Sequence, residues 1–160
     1  MAFWKSFDGW NYEYFSSDIS PATLEGFEDI LTLWHKKRGT RRFPAWADFD
    51  FYDFKGWHGK INMATIQYDP FSYVYQLFGT ESTEKLGGEW TGKSSDEINS
   101  NIDFPDEDME FYEMACRSGY ITRMSGSLPY VGASTRPAVF VEFPLSDNGE
   151  TVTHTLEVTL

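Results

Sequence analysis

The order of apolar and polar positions divides the chain into an aromatic arm, a helix, a strand pair, a helical stretch and three closing strands. Leu24, Phe27, Leu31 and Trp34 recur at spacings of three and four, which predicts one apolar stripe on a helix. Ser20-Pro21 supplies its start, serine as N-cap and proline at the first helical position, and Gly39 its end. Residues 40–59 read as a loop with a short helical turn near Asp53 to Trp57. Ile61 to Tyr68 and Tyr73 to Phe78 read as strands, and Asp69-Pro70-Phe71-Ser72 between them is turn chemistry, so the two form a hairpin. Residues 80–103 carry only short helical fragments. Asp106 to Ser118 predicts a helix, with acids in its first turn, Phe111, Met114 and Ala115 on its apolar side, and Gly119 closing it.

Three strands follow: Ile121 to Tyr130, Ala138 to Leu145 and Val152 to Leu160. In the last, Val152, His154, Leu156, Val158 and Leu160 alternate with polar residues, so the apolar set is assigned to the core. Asp147-Asn148-Gly149 is a hairpin signal. The expected fold class is α+β: a five-stranded antiparallel sheet with helices covering one face, plus an N-terminal helix and aromatic arm. Residues 1–19 are the arm, with Phe3, Trp4, Phe7, Trp10, Tyr12, Tyr14 and Phe15, and residues 20–160 a single domain. So many rings pack on something, their own domain or a second copy.

Composition changes this picture little. At 160 residues the chain suits one domain, and its 18% aromatic content offers much burial from few residues. No run of about 18 apolar residues exists to span a membrane. The first residues lack the apolar core of a signal peptide, and Cys116 is the only cysteine, so a cytoplasmic location is expected. A net charge of −12 disfavours nucleic acid. Lys36, Lys37, Arg38, Arg41 and Arg42 are a local exception: cations complementing a helix C-terminus, or a docking patch for an acidic partner signalling protein.

Gly87 to Ser94 reads GGEWTGKS and satisfies the phosphate-loop pattern G-x-x-x-x-G-K-[ST]. That pattern works between a buried strand and a long helix, whose amides and dipole hold the anion. Here Thr80 to Leu86 is a polar run, Ser95 to Asn101 is short and polar, and Trp90 crowds the loop. A small P-loop phosphotransferase is therefore the alternative function.

The leading reading starts from Leu31-Thr32-Leu33-Trp34-His35-Lys36-Lys37-Arg38-Gly39 with Arg42-Phe43-Pro44, and from Tyr75-Gln76-Leu77-Phe78-Gly79-Thr80 with Gly88 and Thr91-Gly92-Lys93. These segments, in this order, resemble a bacterial family of small, often single-domain PAS-like regulatory proteins. The resemblance covers about residues 24–160. It implies two strands, a run of helices and three strands around a ligand pocket, and places Gly92-Lys93 in a loop between short helices. Trp46 and Gln76 stand where that family commonly carries arginine, so an anion contact made there in relatives lacks its cation here.

The resemblance implies a sensory or regulatory module that binds a small ligand or a partner protein, with no output domain on this chain. Pairing into a homodimer through the arm and the first helix is expected. The candidate pocket takes Tyr75, Met124, Val141 and His154 from the strands, and Trp90, Phe111 and Met114 from the helical side. It is expected to hold a small, largely apolar ligand oriented by Tyr75 or His154; the rival is a fully packed core. No cofactor and no metal are expected: His35 and His58 lack partners at ligand spacing, and the carboxylates at Asp48, Asp50 and Asp53 and at Asp103 to Glu110 lack a calcium-loop pattern. Cys116 reads as structural. With no nucleophile–base set, no enzymatic activity is expected.

Overall fold

The computed structural model describes residues 2–7, 9–101, 106–128 and 136–160; Tyr130 and Asp103 lie outside them. Its elements in chain order are β1 (Ala2–Phe7), β2 (Trp10–Phe15), α1 (Glu28–Arg38), β3 (Ile61–Gln67) and β4 (Ser72–Phe78). Then come α2 (Thr80–Leu86), α3 (Ser95–Asn101), α4 (Asp106–Ser118), β5 (Ile121–Leu128), β6 (Arg136–Leu145) and β7 (His154–Thr159). The strands form one antiparallel sheet in the order β1-β2-β5-β6-β7-β3-β4.

The sheet has seven strands, which corrects the five-stranded expectation. The difference is the aromatic arm. Trp10, Tyr12 and Tyr14 repeat with the period of a strand, so their rings share one face. They pack on Phe140, Phe111 and Tyr120 with centroids 6.0, 5.1 and 4.8 Å apart. Glu13 points the other way and pairs with Arg123 at 2.7 Å. The resulting hairpin adds to the edge of β5, with Tyr12 opposite Met124 and Phe15 opposite Ile121.

Helices also lie on both faces, not one. β6 and β7 show why. Val141 faces Val158, Phe143 faces Leu156, and this apolar face receives α1, whose Trp34 stacks near Phe143 and donates its indole N–H to Pro144 O at 3.0 Å. The opposite face carries Phe140, Glu142, Thr155 and Glu157. It receives α4: Phe111 meets Tyr12, Tyr112 meets Tyr73, and the Tyr112 hydroxyl bonds Thr155 Oγ1 at 2.6 Å.

The first helix is shorter than its sequence signals suggest. Pro21–Thr23 is a separate 3₁₀ turn, Ser20 makes no side-chain cap, and Gly26 takes φ +89° before α1 begins at Glu28. The stripe survives the break: Leu24, Phe27, Leu31 and Trp34 are all buried within this chain.

Candidate functional site

Between α4 and the polar face of the sheet lies a cavity of about 50 Å³. Alternation along each strand decides what reaches it. β6 sends Phe140 and Glu142, β7 sends Glu157, β4 sends Tyr73 and Tyr75, β5 sends Met124, and β2 sends Trp10 and Tyr12. Asp108 and Tyr112 descend from α4 one helical turn apart, and Leu86 and Trp90 close the side.

Three carboxyl groups therefore meet inside a wall of rings. Glu142 and Glu157 sit directly opposite on neighbouring strands, both buried, and hydrogen-bond to each other. Burial pushes the Glu142 carboxyl well above the usual carboxylate range, and the Glu157 charge beside it adds to this. Like charges this close oppose each other's ionisation, so Glu142 holds on to its proton. Asn62, fully buried on β3, orients the pair: its Nδ2 donates to Glu157 Oε1 at 2.7 Å while its Oδ1 accepts from Gly79 N at 2.8 Å. The Tyr75 hydroxyl lies 3.4 Å from both Glu157 oxygens.

Asp108 is a partly exposed residue whose carboxyl faces the cavity. Desolvation raises its pKa to about 7, Glu157 adds to the rise, and the bond from the Tyr12 hydroxyl opposes it. Burial likewise pushes the phenols of Tyr75 and Tyr112 up. Among the described residues no lysine, arginine or histidine lines the cavity.

Tyr75, Trp90 and Met124 of the sequence-derived set are thus brought together at one cavity. Phe111 backs the Tyr12 ring from behind, and Met114 is partly buried outside the lining. Val141 and His154 lie on the other face of the sheet, against α1's side. His154 opposes Leu145 at the start of β7, and its Nδ1 meets Thr153 Oγ1 at 2.9 Å and Asp147 Oδ2 at 3.7 Å. The cause is that the polar, not the apolar, side of β7 lines the cavity.

Sequence reasoning passed over Glu142, Glu157 and Asn62, and took Asp108 for one of the acids that open a helix. A signal existed: Val141-Glu142-Phe143 and Leu156-Glu157-Val158 each set a lone acid inside an apolar run, one on either side of the Asn148-Gly149 turn. The lining therefore combines rings and other apolar surface with three acids.

Most of the remaining candidates make contacts within the fold. Lys37 pairs with Asp53 at 3.0 Å, Arg38 with Asp18 at 3.0 Å and Arg41 with Asp48 at 2.7 Å. Arg42 donates to the carbonyls of Glu150 and Ser118, both at 3.2 Å. Asp48 accepts the Ala45 N–H, and Asp50 and Asp53 cap each other's backbone. Trp46 stacks among Phe49 and Phe54, and Gln76 is exposed. Cys116 is buried, which pushes its thiol well up and keeps it protonated. Among the described residues no group of three His, Cys, Asp or Glu is placed to hold a metal ion, and no helix is long and apolar enough to cross a membrane.

No model of a known protein family matches this chain, and no curated protein matches it.

Proposed function

We propose that this protein is a small sensory or regulatory module of PAS type, which takes up a small ligand between α4 and the sheet and passes the change to another protein or a second copy of itself. The observation that carries the reading is the cavity itself: a space lined by rings and a few convergent polar groups with perturbed acidity is the usual make-up of a small-molecule site. The order of elements from β3 onward, two strands, three helices and three strands, supports it as well.

Trp10 and Trp90 lie at the cavity, so a bound ligand alters their emission. Screening a small-molecule library by tryptophan fluorescence and melting shift tests the reading. Ligands are expected that bind the full chain and lose about tenfold or more in Phe140→Ala, which widens the site without touching the polar groups. A library whose hits bind Phe140→Ala and the natural chain alike overturns the cavity as the sensing site.

A further inference from the structure

Three carboxyl groups face the cavity. Among the described residues Glu142 bonds to Glu157, and Glu157 receives one close bond, from Asn62, and longer ones from the Tyr75 hydroxyl. Thr122, directly across the strand pair from Glu142, is buried with its Oγ1 unpartnered. A neutral apolar guest would leave these carboxyl oxygens unpaired, which is costly in a dry site. An anion would be repelled. A cation satisfies them, and an ammonium head brings several N–H donors or a polarised methyl shell. The rings complete the argument. Tyr73, Tyr75 and Trp90 offer the aromatic faces that attract cations, most strongly when water is excluded. An inorganic ion needs a convergent shell of ligands, and among the described residues no group of three His, Cys, Asp or Glu is placed to supply one.

We propose that the cavity binds an organic cation, seating its ammonium head between Glu142, Glu157 and Asp108 on one side and the Tyr73, Tyr75 and Trp90 rings on the other. This rests on the reading of the cavity as a ligand site and adds the class of ligand. The small volume fits a head group, not a large cofactor. The net charge of −12 draws cations toward the protein.

Binding is coupled to protons. A cation favours the ionised acids, so the proton held by Glu142 leaves to solvent as the cation seats. Among the described residues the other titratable groups facing the site or its neighbouring hollow are Tyr12 on β2, Tyr73 and Tyr75 on β4, and Tyr112 and Cys116 on α4. Tyr12, Tyr75, Tyr112 and Cys116 are all pushed up by burial and stay neutral, so the carboxyls alone carry the coupling.

Calorimetry on the full chain decides it, with tetramethylammonium and n-butylammonium chlorides as probes, tert-butanol and n-pentanol as neutral counterparts, and sodium chloride to match ionic strength. Both cations are expected to bind at least about tenfold more tightly than their neutral counterparts. Their affinity is expected to rise from about pH 6 to about pH 8 with proton release. Glu142→Gln, with an unchanged circular-dichroism spectrum, is expected to weaken them about tenfold or more, and Trp90→Leu to weaken tetramethylammonium most. Neutral probes that bind as tightly as the cations overturn the proposal and leave the ligand-module reading standing. Binding by none of the four overturns both. Cation binding that survives Glu142→Gln and Trp90→Leu unchanged lies elsewhere on the protein and also overturns it.

Discussion

Asn62 shows how much of the site hangs on one side chain. It is the link between the acid pair and the backbone where α2 begins, since one end of its amide holds Glu157 and the other holds Gly79 N. Removing it takes the closest bond from a buried carboxyl and the side-chain partner from a buried N–H. Asn62→Ala is therefore expected to cost about 2–3 kcal/mol in urea denaturation, the range for orphaning buried groups. Asn62→Asp is expected to cost more, because a further carboxyl then faces Glu157. A loss below about 0.5 kcal/mol in both variants removes the link from the account. This residue looked ordinary in the sequence, one polar position inside the strand Ile61–Gln67. The alternation along β7 was legible, but not which side of it met water. Thr155, Glu157 and Thr159 had the polarity of a solvent face and are all buried. A single sequence reports polarity, and a polar cavity under a helix gives the same pattern as open solvent.

At the scale of elements, local signals carried furthest where they were self-contained. The helix Asp106–Ser118 has the bounds its acids and Gly119 imply, and the hairpins at β3–β4 and β6–β7 sit where the turn residues put them. The arm was harder, because its alternation runs for only a few residues and its partner, β5, is more than a hundred positions away. Its contribution is testable. Tyr12 is 1% exposed and touches both Phe111 and Trp4. Tyr12→Ala is expected to cost about 3–5 kcal/mol by chemical denaturation, the penalty for emptying an aromatic core position. An arm that only rests on the surface would cost under about 1 kcal/mol. The phosphate-loop pattern meets its own test here. Gly87 caps helix α2, so no strand leads into the loop. Amides around its Gly-Lys step are already used: Gly92 N donates to Tyr75 O, Lys93 N to Trp90 O, and Thr91 N to the Glu89 carboxylate. A phosphate would have to strip these bonds from the edge of β4. Titrating ATP and GTP with Mg²⁺ is expected to show no binding. Micromolar affinity abolished by Lys93→Ala would reinstate the phosphotransferase alternative.

For the molecule as a whole, the buried acids set an uncommon dependence of stability on pH. An acid with a raised native pKa holds its proton more tightly folded than unfolded. Its contribution therefore favours the fold at low pH, is full below the unfolded pKa, and is lost as pH rises through the folded value. For Asp108 that window runs from 3.8 to about 7, and Glu142 acts in the same direction because burial raises it too. Asp48 and Asp53 run oppositely, since backbone hydrogen bonds hold their carboxyls low, but their contribution is lost only on acidification below the ordinary carboxylate range. The two windows do not overlap, so stability is expected to peak near pH 4–5 and to fall by on the order of 3 kcal/mol toward about pH 7.5. Asn and Gln keep the shape of these side chains and carry no proton to lose. The double substitution Asp108→Asn, Glu142→Gln is expected to flatten the fall and to leave the protein more stable than the natural chain at neutral pH, where it no longer strains to ionise buried groups. Urea midpoints measured across that range check both parts. If the double variant and the natural chain trace parallel curves, the acids under α4 are not what couples this fold to protons, and the fall belongs to repulsion among the surface carboxylates.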